Sequence, residues 1–180
     1  KAVLHHTWVA YGRISPNLKR AVVAAEDAKF VEHEGFDWDS IQKALENTYV
    51  QKNPWGRPKP KRGAWVSEQD VKVPHVKDTQ SKRLLFTCCI QAYDPRCMVI
   101  PMNVAKIFQK GGLEFGILGA EEACCGNEIR RMGETGLFED LQGGNTAAFK
   151  KYGVKEIIAL SPHCMNALKK EYGDLGIPVS

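Results

Sequence analysis

Through the first fifty positions the apolar residues fall at helical spacing. Leu18, Ala21, Val22 and Ala25 share one face of a helix that Ser15 would cap and Pro16 would open. Ile41, Leu45 and Tyr49 form a second stripe, with Asp37 or Asp39 as its cap. No strand is needed in this stretch. Between Lys52 and Gln80 the periodicity lapses. The run "KNPWGRPKPKRGAWVSEQDVKVP" holds four prolines, two glycines and two tryptophans. It reads as an extended linker, with Trp55 and Trp65 anchored on a neighbouring surface.

From Lys82 onward strands and helices alternate. "RLLFTCC", "LEFGILG" and "VKEIIALS" are short apolar runs suited to buried strands. "MNVAKIFQKGG", "NEIRRMGE", "LFEDLQGGNTAAFKKYG" and "CMNALKKEYG" have helical spacing, the third predicted to break at Gly143–Gly144. The expected fold is α/β: a parallel sheet with flanking helices, preceded by an N-terminal helical segment and a Pro-rich linker. The expected boundaries are 1–50, 51–80 and 81–180.

Composition narrows the function classes. Of the 180 residues 43% are hydrophobic, enough for a core, and the net charge of +4 is too mild to argue for nucleic acid. The basic run Arg57–Arg62 is expected to be solvated. No segment approaches the roughly 20 apolar residues of a membrane span. No signal peptide or initiator Met opens the chain, so an excerpted segment is expected.

Six cysteines lie between Cys88 and Cys164. Five of them follow the three predicted strands: Cys88 and Cys89, then Cys124 and Cys125, then Cys164. Ligands of parallel sheets sit beyond the carboxyl ends of strands. Thiolates converging there would suit a soft metal or an iron–sulfur cluster. Gly126 would let the backbone turn tightly and a bulky inorganic cluster approach, and the helix starting near Asn127 would aim its positive end at the paired sulfurs. Arg130 and Arg131 add charge one turn on, and His163 is a candidate ligand or donor. A zinc site is the alternative, although no CxxC knuckle is present. A structural domain with core cysteines is another, and for Cys97 it is the preferred reading. Asp94 and Arg96 are expected to lock their loop by a local ion pair.

These motifs carry a resemblance. "NPWG", "CCIQAYDPR", "LGAEEACCGNEIRRMGE", "LFEDLQGGNTAAF" and "SPHCMNALKKEYGDLG" make residues 46–180 similar to the heterodisulfide-reductase-like iron–sulfur oxidoreductases with a cysteine-rich CCG domain. The resemblance implies electron transfer to or from a disulfide through a 4Fe–4S-type centre, cubane or noncubane. Its ligands would be Cys88 or Cys89 with Cys124, Cys125 and Cys164. Ser161 stands where the family has the first cysteine of a CxxC. Partners would be other redox subunits or a ferredoxin-like module, with a disulfide as substrate. The location would be the cytoplasm, or the inner face of the membrane through a partner subunit.

The first 47 residues resemble a different family. "WVAYGRISPNLKRAVVAAEDAKFVEHEGFDWDSIQKALEN" is similar to the first motif of peptidoglycan glycosyltransferases. That resemblance makes Glu26 the catalytic carboxylate acting on lipid II, with Asp27, Phe30, His33 and Gly35 in its signature. The groups such an enzyme needs for its pyrophosphate leaving group do not follow Asn47, so an inactive remnant is expected. The two resemblances meet near Ala44–Asn47, which points to a chimeric chain.

Overall fold

The computed structural model describes residues 7–68 and 72–180. Residues 1–6, where the predicted helical segment begins, and 69–71, inside the predicted linker, lie outside the described residues. The chain divides into two units, Lys1–Ile41 and Gln42–Ser180.

In the first unit a 3₁₀ turn at Tyr11–Arg13 precedes helix α1, Pro16–Glu26. Ser15 occupies the cap position and Pro16 the first turn, as the sequence predicts, but the serine side chain makes no capping bond. Helix α2, Trp38–Gln51, is capped by Asp37. One carboxylate oxygen accepts from the Ser40 N–H at 2.9 Å and the other from its hydroxyl at 2.6 Å. No residue of α1 is buried.

The second unit is built on parallel strands. β1, Arg83–Phe86, pairs with β2, Glu156–Ala159, in the register Arg83↔Glu156 to Phe86↔Ala159. Single bridges widen the ladder on both sides: Leu84↔Gly116 and His75↔Ile117 on one, Ile157↔Val179 on the other. The predicted strand "LEFGILG" is therefore reduced to Gly116–Ile117. Its ends are used otherwise. The Glu114 carboxylate accepts from the N–H groups of Gln80 and Ser81, and Gly119–Glu121 turns into a 3₁₀ helix. Gly116 allows the close approach, since a Cβ there would lie 2.6 Å from Val76 Cα.

Strand alternation splits the core. Leu84 and Phe86 face one cluster with Ile157, Leu137, Leu141, Phe149 and four of the cysteines. Leu85 faces the other, with Trp65, Ala105, Phe115 and Ile117. Helices α3, Cys89–Tyr93, and α4, Val99–Lys110, follow β1. Helices α5, Asn127–Arg131, and α6, Thr135–Tyr152, precede β2. Helix α7, Pro162–Asn166, follows β2 and continues into a π-type turn at Ala167–Glu171.

Two expectations need correction. Helix α6 does not break at Gly143–Gly144. Those glycines are on its exposed side, while Leu137, Phe138, Leu141, Ala148 and Phe149 are buried. Burial of that face outweighs the roughly 1 kcal/mol that each glycine costs a helix. The basic run is not wholly solvated either. Lys59–Glu68 is a 3₁₀ element that inserts Arg62 and Trp65 into the interior, although Trp55 stays partly exposed. Among the described residues no helix is long and apolar enough to cross a membrane.

Candidate thiol centre

The carboxyl ends of three neighbouring strands deliver the cysteines. Cys88 and Cys89 follow β1, Cys124 and Cys125 follow Gly116–Ile117, and Cys164 follows β2. Cys89, Cys124, Cys125 and Cys164 are buried, Cys88 is half-buried, and all are free thiols. Cys88 holds a positive φ of 65° as the cap of α3, a backbone state uncommon outside glycine. Cys97 is half-buried, its N–H donating to Asp94 O.

The five thiols interact as a chain. Each shifts the acidity of the next: Cys89 and Cys124, Cys124 and Cys125, Cys125 and Cys164, Cys164 and Cys88. Their acidities diverge accordingly. The Cys124 and Cys164 thiols lower Cys125 to about 5, assisted by the Asn127 N–H. Cys124 is pushed up to about 12, first by the neighbouring Cys125 thiol. Cys164 is driven up by Cys125, then by Cys88 and by burial. Cys88 is lowered, first by the Cys164 thiol, with the Ile90 N–H and the Ser161 hydroxyl adding to it. Cys89 is raised by Cys124 and by burial. Cys125 and Cys88 are thus the two thiols whose charged forms the surroundings favour. Among the described residues no three His, Cys, Asp or Glu side chains converge tightly enough to hold a single metal ion.

The supports are local. Gly126, at φ 78°, caps α5, and its N–H donates to Cys124 Sγ at 3.4 Å. A Cβ on it would lie 2.7 Å from Phe138 Cδ2, so the close approach is to the core. Ser161 caps α7, accepting from the His163 N–H at 3.2 Å, which gives its hydroxyl a structural duty beside Cys88. Asn145, wholly buried on α6, binds the backbone of Ala123 and Cys124 and the Tyr172 hydroxyl. Tyr172 is buried against the thiols, and burial pushes its phenol up.

Other candidates sit further out. His163 is exposed, 3.5 Å from Glu128. Arg130 is half-exposed, 3.6 Å from Glu171 and over the Phe138 ring. Asp94 and Arg96 form the expected ion pair at 2.8 Å. Glu26, in the other unit, ends α1 on its exposed side, while Asp27 beside it holds His33 at 2.8 Å. A cavity of about 480 Å³ bordered by Lys52, Glu121, Asp140, Gly144 and Lys151 is lined by no cysteine and is not the thiol centre.

Sequence reasoning missed Arg62 and Glu122. Arg62 donates through Nε and Nη2 to Glu122 Oε1 at 2.9 and 2.5 Å, and through Nη1 to Cys89 Sγ at 3.3 Å. Burial opposes its charge, but Glu122 and then Cys89 outweigh that and raise its pKa. One signal was present: Arg62 and Trp65 are three apart, one turn of a 3₁₀ helix, so they share a face.

Comparison with known proteins also divides the chain in two, but near residue 82. Residues 2–81 match the family model described as Transglycosylase, and residues 83–169 the one described as Cysteine-rich domain, CCG. The EtfAB:quinone oxidoreductase of Syntrophomonas wolfei is 35% identical over 139 residues, covering 75% of this chain and 20% of that protein. The probable iron-sulfur-binding oxidoreductase FadF of Bacillus subtilis is 34% identical over 141 residues, with the same coverage of 75% and 20%. The biosynthetic peptidoglycan transglycosylase of Methylobacillus flagellatus is 70% identical over 50 residues, 28% of this chain and 22% of that protein. The chain spans about a fifth of the length of these relatives. No solved structure matches. The chain is therefore chimeric, a peptidoglycan-glycosyltransferase-like region followed by a CCG region like that of the iron–sulfur oxidoreductases.

Proposed function

We propose that residues 81–180, with the preceding segment packed against them, form an iron–sulfur-binding redox domain that passes electrons to or from a disulfide. The observation that carries this reading is the placement of five free cysteines after three adjacent strands, four of them buried in one core cluster. The donor set fits such a cluster: soft sulfur ligands, shielded from water, with the Gly126 N–H donating to Cys124 Sγ. Cys89, Cys124, Cys125 and Cys164 would hold it, with Cys88 and the Ser161 hydroxyl at the remaining side.

A bound cluster would supply one-electron steps. The chain's own residues would bind it, exclude water and fix its surroundings. Asn145 would hold the Cys124 backbone, and Gly126 would keep α5 against Phe138. Cleaving a disulfide takes two electrons and two protons and yields two thiols. The electrons would come from partner redox subunits, and the setting would be the reducing cytoplasm.

The test is iron and acid-labile sulfide on protein purified without oxygen. Iron and sulfide in equal amounts, with a broad visible band, are expected, and Cys125→Ala should remove most of both. Zinc without sulfide, or unchanged iron in Cys125→Ala, overturns the reading.

A further inference from the structure

The Arg62–Glu122 pair is buried almost completely, at 2% and 1% side-chain exposure. Its position is unusual in three respects. Arg62 comes from the Lys59–Glu68 element, outside the 83–169 span of the cysteine-rich family match. Glu122 lies two residues before Cys124, and its second oxygen accepts from the N–H of Thr87, two residues before Cys89, at 3.1 Å. The pair therefore ties two cysteine loops together. The guanidinium also has one nitrogen to spare, and that nitrogen faces Cys89 Sγ at 3.3 Å, with the Tyr93 ring 5.7 Å from its centre.

Packing alone gives no reason for this arrangement. A buried ion pair costs several kcal/mol of desolvation per ion, and apolar residues of like volume often do as well or better. What apolar residues cannot supply is a fixed charge beside a sulfur in a dry interior, where Coulomb interactions are strong. The cation touches the thiol, and the carboxylate sits behind it. Net charge and hydrogen bonds to sulfur are what set the potentials of thiolate-bound clusters.

Resting on the redox reading above, we propose that Arg62 and Glu122 are positioning residues that set the midpoint potential of the thiol-bound centre, Arg62 raising it and Glu122 lowering it. Reduction adds one electron to the centre from an external one-electron donor, and a nearby positive charge favours the reduced form. No proton need move on the pair.

The experiment is a potentiometric titration of anaerobically loaded protein with reduced viologen as donor, followed by visible absorption, with iron content measured first. Arg62→Gln should lower the midpoint potential and Glu122→Gln should raise it. Each shift should be at least tenfold in the electron-transfer equilibrium constant, about 59 mV for one electron. Arg62→Gln/Glu122→Gln should return towards wild type, and Arg62→Lys, which keeps the charge, should stay near it. A scaffold role would move both single variants the same way or neither, and that result overturns the proposal. If Arg62→Gln does not fold, Glu122→Gln still decides: a raised midpoint potential supports the proposal, and an unchanged or lowered one overturns it. Wild-type protein that takes up no iron refutes the cluster reading and this proposal with it. Loaded protein with shifts of the same sign, or none, refutes this proposal alone.

Discussion

Asn145→Ala is the sharpest test of how the thiol loop is held. Asn145 is 0% exposed, and its amide makes four bonds. Oδ1 accepts from the Ala123 N–H at 2.9 Å. Nδ2 donates to Cys124 O at 3.1 Å, to the Tyr172 hydroxyl oxygen at 3.0 Å and, more distantly, to Ala123 O at 3.4 Å. Alanine removes all of them. The half-buried Ala123 can recruit water, so its loss costs about 1 kcal/mol. The Cys124 carbonyl belongs to a buried residue and is left unpaired, at about 1–3 kcal/mol. The sum is about 2–4 kcal/mol, a large share of the roughly 5–15 kcal/mol that holds a domain. Thermal unfolding followed by circular dichroism should show Tm falling by about 10 °C. Native-state alkylation, read by mass spectrometry, should reach Cys124 faster than in wild type. Asn166→Ala is the control. Its side chain makes a single 3.4 Å contact with Asn127, and the change should stay within about 0.5 kcal/mol. A loss below about 1 kcal/mol for Asn145→Ala, or one equal to that of the control, would refute the claim that this amide anchors the loop.

Gly126→Ala should destabilise the second unit by about 2 kcal/mol or more, because φ is 78° and the new Cβ meets Phe138 at 2.7 Å; denaturant unfolding reads this, and a neutral change would contradict the geometry. Trp65→Ala should cost about 3–5 kcal/mol, since the ring is fully buried with Leu85, Ala105 and Phe115, whereas Trp55→Ala should cost markedly less. Asp37 should titrate near 2, because the hydroxyl and N–H of Ser40 favour its charged form. Its folded value lies below the ordinary carboxyl value, so the support it gives α2 is present above about 4 and is lost as pH falls through about 2. Side-chain carboxyl NMR should show that midpoint, and an ordinary value near 4 would remove Asp37 as the cap.

What the sequence made legible was what repeats. The apolar runs that became β1 and β2 stand out because strand burial leaves a short, unbroken signature, and the strand ends then locate the cysteines. The run around Gly116 was over-read, because its flanking Glu114 spends its carboxylate on a turn 33 and 34 residues earlier, and no local pattern encodes that. The break expected at Gly143–Gly144 failed for a similar reason. Propensity is local, and the buried stripe of α6 is held by distant partners. Asn145 was nevertheless within reach. It lies four residues after Leu141 and four before Phe149, on the buried face of α6, and a polar residue on an apolar stripe marks an internal anchor.

Arg62 was harder to find, because a basic, proline-rich run looks the same whether solvated or buried, and its partner lies 60 residues away. Its burial bears on where the cysteine-rich unit physically begins. The family match starts at residue 83, and residues 2–81 match a different family. Yet the Cys124 N–H donates to Lys52 O at 2.9 Å, Leu45 packs on the thiol-bearing core, and Trp65 fills the other core. Removing residues 42–82 would expose both faces of the sheet and leave Glu122 buried without its cation. The working unit therefore begins near Gln42, where the chain divides, and not at β1. A fragment cut at residue 83 should be unfolded and one cut at residue 42 should melt cooperatively. If the shorter fragment melts as the longer one does, then the contacts of Lys52, Arg62 and Trp65 are incidental, and the argument that this segment completes the thiol centre falls with them.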